Sequence, residues 1–273
     1  MTENIQCRLC EGISKFSFSK KILSKHKIGY YLCENCGSLQ TEEPYWLEEA
    51  YDPLNEKFDT GQLVRVFHNA VFLKAILTHL DLLGCRLIDY GCGSGLLTRF
   101  MRDIGVDAWG FDSYSAPRLS MGFHTDTLEG ATVVNLCEVA EHFDHPLKYF
   151  DEIFSHHPDL LVMQTNLLET VDEGWDYLAV DHGQHIFFYS PKGVEYLAKR
   201  NNMLATYING FIVFFNPNFF EKLFVQGSWV LTSDFQEALN SSVPNFLNQM
   251  LANGYKYAIQ DHLMLKNLNS INS

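Results

Sequence analysis

The tightest constraint on the fold lies at residues 86–112. Arg86-Leu87-Ile88-Asp89-Tyr90 is a short apolar run that reads as a buried strand. It passes straight into Gly91-Cys92-Gly93-Ser94-Gly95, after which residues 96–102 carry helical spacing. Gly105 then precedes a second strand, Ala108-Trp109-Gly110-Phe111, which ends in Asp112. A strand, a glycine turn, a helix and a second strand make one βαβ unit. Asp112 stands 21 positions after Gly91, the distance at which an acidic residue at the second strand's end meets a ribose hydroxyl pair.

The glycine spacing says what kind of nucleotide the turn suits. Dinucleotide folds use G-x-G-x-x-G and place pyrophosphate on the helix N-terminus. Here the spacing is G-x-G-x-G, preceded by Asp89. An anionic side chain repels phosphate but suits a cationic amino group and a sulfonium. Residues 87–95 resemble the first motif of class I S-adenosylmethionine-dependent methyltransferases, and Gly110-Phe111-Asp112 resembles the second. The resemblance implies an α/β fold with a Rossmann-like sheet and S-adenosylmethionine as cofactor. Asp89, Gly91, Gly93 and Gly95 would seat its methionine end, and Asp112 its ribose. Family members also place an acidic residue after a third strand, about where Asp126 falls, although no clear strand precedes it in the sequence. Further strands are expected at 132–136 and 160–165, helices at 146–154 and 191–201, and a closing strand pair at 206–208 and 212–215.

Four cysteines form two matched pairs, Cys7-x2-Cys10 and Cys33-x2-Cys36, separated by 22 residues. Each pair can deliver two thiolates to one tetrahedral ion, and two pairs complete a closed structural zinc site. About forty residues bury too little apolar surface to fold alone, so a metal supplying roughly 10 kcal/mol meets a physical need. The alternative is reduced buried cysteines or a redox pair. A zinc-ribbon-like module ahead of a methyltransferase domain resembles the methyltransferases of sugar and cell-surface glycan modification. Relatives that C-methylate nucleotide-bound keto-sugars carry a long additional C-terminal domain for which this chain is too short.

A second metal site is suggested after the 132–136 strand. Glu138-Val139-Ala140-Glu141-His142 on a helical turn would place Glu138, Glu141 and His142 on one face. Two carboxylates and an imidazole converging next to a sulfonium are electrostatically awkward unless a cation joins them. An oxygen-rich set with imidazole suits Mg²⁺ or Mn²⁺. His185, in Asp181-His182-Gly183-Gln184-His185, is the fourth candidate. The E-x-x-E-H string followed by a later histidine resembles the metal site of small-RNA ribose 2′-O-methyltransferases, in which the ion binds a vicinal diol. Two other readings stay open: the segment lines a metal-free pocket with His185, His142 or Glu141 as the catalytic base, or it is structural.

Formal net charge is −13, which argues against a nucleic-acid partner. Residues 1–40 hold six basic and three acidic side chains. The remainder holds fourteen basic and thirty acidic ones, so a small basic module sits on an acidic body. The domains expected are a zinc module at 1–40, a linker at 41–60, a methyltransferase domain at 61–216 and a helical extension at 217–273. Helical spacing over 61–83 puts Val64, Phe67, Val71, Ala75 and Leu82 on one face. The extension opens with an apolar stripe (Phe219, Phe220, Leu223, Phe224), followed by Trp229 and a helical stretch at 235–251, and suits sheet cover or homodimer pairing. No apolar run approaches the roughly 20 residues of a membrane span. No leader is apparent, so a cytoplasmic protein is expected. Three readings follow: O-methylation of a sugar or glycan hydroxyl; methylation of RNA or a keto-sugar; or a zinc-stabilised binding protein without catalysis.

Overall fold

The computed structural model describes residues 3–52, 61–208 and 210–218, and most of 237–264. The chain condenses into two compact units, each assembled from separated stretches. One comprises residues 1–62, 138–155 and 163–219, and the other 63–137, 156–162 and 220–273.

In the first unit, β1 (Asn4–Gln6), β2 (Ile13–Ile22), β3 (His26–Cys33) and β4 (Leu39–Thr41) form an antiparallel meander with a bulge between Phe16 and Phe18. The boundary expected at residue 40 does not divide the chain, because all three residues of β4 are buried and must be covered. The cover is β9 (Phe187–Phe188), which pairs antiparallel with β4 in the register Leu39↔Phe188 and Gln40↔Phe187. Ile22, Ile28, Tyr30 and Leu39 share one apolar core with Leu168, Leu178, Ile186 and Phe188. The expected linker also packs in its first half: α1 (Leu47–Ala50) follows Trp46, which is 2% exposed and donates its indole N–H to the Gly183 carbonyl at 2.7 Å. Residues 53–60 lie outside the described part. α4 (Pro146–Ser155) and α5 (Pro191–Arg200) complete this unit's helices. Phe150 packs against Tyr189 and Phe214.

The second unit holds α2 (Gln62–His79), β5 (Arg86–Tyr90), α3 (Leu96–Asp103), β6 (Asp107–Phe111) and β7 (Val133–Cys137). The helix at 61–83 is shorter than its periodicity suggests. It ends at His79, the chain turns with Asp81 at a φ of 56°, and Leu82 is buried beyond the end. Its inward face is Ala70–Leu73 and Ala75–Leu77, whereas Val64 is 72% exposed. β5 runs parallel between β6 and β7, with Asp89 opposite Gly110 on one side and Asn135 on the other. Outside β6, Gly110 makes a parallel bridge with His124 and exchanges backbone hydrogen bonds with Phe123 and Thr125. This rudimentary strand precedes Asp126, where the sequence offered no strand pattern. With β8 (Leu160–Gln164), β10 (Leu204–Ile208) and β11 (Phe211–Phe215), the sheet order is β10-β11-β8-β7-β5-β6. This is a Rossmann-like sheet.

In the C-terminal stretch, Phe246 meets Phe67 edge-on, and Asp261 pairs with Arg99 and Arg102. The stripe Phe219, Phe220, Leu223 and Phe224, together with Trp229 and Phe235, lies outside the described residues. Among the described residues no helix is long and apolar enough to cross a membrane.

Candidate active site

The glycine turn takes the shape that its sequence allows. Gly91, Gly93 and Gly95 have φ values of 73°, 53° and 79°, a region in which a side chain is strained. A side chain at Gly95 would also collide with Ser120. Asp112 braces the turn, accepting the Gly93 amide on Oδ2 at 2.8 Å and the Tyr114 and Ser115 amides on Oδ1. A carboxylate has about four lone-pair sites, so capacity for hydroxyl donors remains. Asp89 lies beneath the turn, 2% exposed, accepting from Thr98 Oγ1 at 3.0 Å and Asn135 Nδ2 at 3.4 Å. Burial pushes its carboxyl up to about 6, against the pull of those two donors.

The four N-terminal cysteines gather into one cluster. Cys7 and Cys36 sulfurs are 3.7 Å apart, and those of Cys10 and Cys33 are 3.5 Å apart. Four thiolates at about 2.3 Å from a tetrahedral ion stand about 3.8 Å from one another, so the spacing fits zinc. The Cys36 amide donates to Cys33 Sγ and the Asn35 side-chain amide to Cys10 Sγ, both at 3.4 Å. Cys7 is pushed up by its contact with Cys36 and by burial. Cys36 is drawn down to about 5, first by that same contact, as two thiols sharing one proton must be.

Glu141, His142 and His185 come together with their ligand atoms within 4.8 Å of one another. Glu138 is not among those three; it is linked to Glu141 through the Tyr177 hydroxyl, and not through the helical turn that its spacing suggested. Only Ala140–His142 coil, as a single tight turn, and Glu138 has a left-handed φ of 54° fixed by its amide donating to the Gln164 carbonyl. Two residues not anticipated from sequence organise the group. Tyr177 places its hydroxyl 2.7 Å from Glu141 Oε1 and 3.2 Å from Glu138 Oε2, and Thr165 Oγ1 stands 3.0 Å from the same phenol. No local pattern marks them, since they lie 12 residues apart and 24 or more from Glu141. Glu141 is fully buried, and burial holds its carboxyl above the usual range. Burial and the two carboxylates raise Tyr177 well above an ordinary phenol. Among the described residues, Glu141 Oε2 has no hydrogen-bond partner. His185 Nδ1 lies 2.7 Å from the Tyr177 carbonyl, and its Nε2 points to Glu141 Oε1 at 3.9 Å.

The sequence profile of a methyltransferase-domain family matches residues 1–203. The chain belongs to that family. It is an S-adenosylmethionine-dependent methyltransferase of class I. A ubiquinone biosynthesis O-methyltransferase of Paraburkholderia phymatum is 25% identical over 205 residues, which is 71% of this chain and 86% of that protein. Among solved structures, the plantazolicin methyltransferase BpumL with S-adenosylhomocysteine is 13% identical, with a TM-score of 0.43 over 71% of this chain and 84% of its own. The small RNA methyltransferase HEN1 is 16% identical with a TM-score of 0.39. The match covers 55% of this chain and only 26% of HEN1.

Proposed function

We propose that this methyltransferase O-methylates a hydroxyl of a sugar or glycan, assisted by a divalent ion held by Glu138, Glu141, His142 and His185. The observation that carries the reading is the His185 hydrogen bond. A carbonyl can only accept, so Nδ1 holds a proton, and Nε2, which faces Glu141, carries a lone pair whenever the ring is neutral. A metal-binding histidine is commonly fixed in this way, by a backbone carbonyl on its other nitrogen. Oε2 of Glu141, which has no hydrogen-bond partner among the described residues, is the second support, because such a buried carboxylate oxygen is costly unless a cation or proton meets it.

Transfer breaks the sulfonium S–CH₃ bond, forms an O–CH₃ bond and releases the hydroxyl proton. When bound, a Mg²⁺ or Mn²⁺ ion supplies a lowered pKa at the acceptor hydroxyl. With the ion in place that proton passes to solvent water; without it, Glu141, His142 or His185 is the base that takes it. Asp89 contributes negative charge beneath the cofactor's cationic end, and Asp112 carries the oxygens that meet its ribose. The O-methyltransferase named among the relatives supports oxygen as the acceptor atom. The acidic body disfavours a polyanionic acceptor and supports a neutral diol.

The four cysteines suit one structural zinc. Leu247 and Leu251, 43% and 86% exposed on the C-terminal helical stretch, support pairing of two copies. The test is turnover of S-adenosylmethionine with a panel of sugars and nucleotide sugars, before and after EDTA. Restoration by Mg²⁺ or Mn²⁺ is expected. Full turnover in chelator removes the ion, and turnover of RNA but of no sugar removes the acceptor class.

A further inference from the structure

Arg8 sits inside the first cysteine knuckle, between Cys7 and Cys10, yet its side chain leaves the cluster. Its side chain is half-buried, and its shortest hydrogen bond goes to a main-chain carbonyl rather than to a carboxylate. It donates to the carbonyls of Ile186 at 2.7 Å, Thr41 at 3.3 Å and Asp144 at 3.4 Å. Its own amide donates to Gln40 Oε1 at 2.8 Å, which fixes the knuckle to β4. Ile186 follows His185 directly, and its amide donates to the Glu141 carbonyl at 2.9 Å, while the Thr41 amide donates to the Ile186 carbonyl at 3.0 Å. Ile186, next to His185, is therefore held at its amide by the Glu141 backbone and at its carbonyl by Arg8 and β4. A second link ties the other knuckle to the same strand end: Ser190 Oγ donates to the Cys36 carbonyl and also caps α5.

We propose that Arg8 is a positioning residue that holds the His185–Ile186 segment against Glu141, so that the cysteine knuckle sets the geometry of the carboxylate–histidine cluster. Only a planar fork with five N–H donors can join β4, the turn after Glu141 and the His185 loop at once. A guanidinium is charged at neutral pH, so it binds those carbonyls with charge-assisted strength. A guanidinium used only to fasten a ribbon could have taken a carboxylate. This one divides its donors between β4, at Gln40 and Thr41, and the backbone of Ile186 and Asp144 beside the cluster. The cysteine module is thereby part of the acceptor-side machinery rather than an attached accessory.

The inference rests on the divalent-ion reading for its first measurement and stands apart from it for the second. Mn²⁺ affinity is read by electron paramagnetic resonance, and amide exchange at Ile186 by NMR, in the full chain with its zinc content checked. In Arg8→Met we expect Mn²⁺ binding weaker by about tenfold or more, the range typical of residues supporting metal ligands. Ile186 exchange should rise by a similar factor while S-adenosylmethionine affinity stays within about twofold. Arg8→Lys, which keeps the charge but cannot span three carbonyls, should fall between Arg8→Met and wild type. Wild-type Mn²⁺ affinity in Arg8→Met overturns the proposal. If wild type itself binds no Mn²⁺, the ion reading fails and exchange alone decides: faster exchange in Arg8→Met sustains the positioning role, and unchanged exchange ends it. If Arg8→Met does not fold or loses its zinc, Arg8→Lys is read by the same criteria, and equality with wild type overturns the proposal.

Discussion

His185 Nδ1 stands 2.7 Å from the backbone carbonyl of Tyr177, and the Tyr177 hydroxyl bridges Glu138 and Glu141. One residue therefore fixes the imidazole with its main chain and the carboxylates with its side chain. Tyr177→Phe separates these two roles, because it leaves the carbonyl in place. It should leave S-adenosylmethionine affinity unchanged and weaken Mn²⁺ binding by roughly 10-fold, as calorimetry and paramagnetic resonance would show. Equal Mn²⁺ affinity would mean that the phenol does not organise the carboxylates.

Glu141→Gln keeps an acceptor for the Tyr177 hydroxyl and removes the charge. Turnover should fall by about 10²–10⁴-fold, the scale of a lost acid–base or metal-binding group. Thermal stability should hold or rise, because a buried carboxylate is no longer desolvated. A variant with near-normal turnover would assign Glu141 to structure.

The proposed cofactor role of Asp89 should link binding to pH. Its carboxyl is raised from 3.8 to about 6, first by burial. Between about pH 4 and 6 the folded state holds more protons than the unfolded one, so this residue's effect lowers stability as pH rises through that window. Asp89→Asn should therefore raise the unfolding free energy of the cofactor-free protein at pH 7.5 by up to about 3 kcal/mol. That gain should vanish below about pH 4. The same substitution should weaken S-adenosylmethionine at least about tenfold, a loss of roughly 1.4 kcal/mol. Unaltered cofactor affinity would contradict the role given to this charge.

Arg102 is 9% exposed and forms a two-oxygen pair with Asp261 while its guanidinium lies 3.7 Å from the Phe123 ring centroid. Asp261→Ala leaves that charge short of its partner and should cost roughly 1–3 kcal/mol in urea unfolding. A change below about 0.5 kcal/mol would mean that the C-terminal stretch contributes little to holding α3.

Cys33→Ser should reduce bound zinc from about one ion per chain to a trace, read by elemental analysis, and lower stability by several kcal/mol, as expected for a structural site. Full zinc content would point to a different ligand set.

What the sequence disclosed was what is local. β5, the glycine turn, α3 and β6 form one contiguous stretch, and each announces itself through an apolar run, a glycine or an acidic strand end. The cysteine spacing gave the cluster but not the strands around it, because β2 alternates poorly across its bulge and mixes lysines with phenylalanines. β9 has only two residues, too few for any period. Glu138, Glu141, His142 and His185 could be named from a string. Tyr177 and Thr165 could not, because they meet the cluster through the folded path of the chain. The helical rule for Glu138 failed because a left-handed residue replaced the first turn.

The pairing of Gln40 with Phe187 has a consequence for how the protein is made. The ribosome delivers β4 almost 150 residues ahead of β9, an interval of roughly 10–30 s at ordinary elongation rates. Through that time the N-terminal hairpin waits with an open edge, and an open edge invites pairing with another nascent chain. Early metal capture by the cysteines, before the rest has been synthesised, would decide how many chains survive the wait.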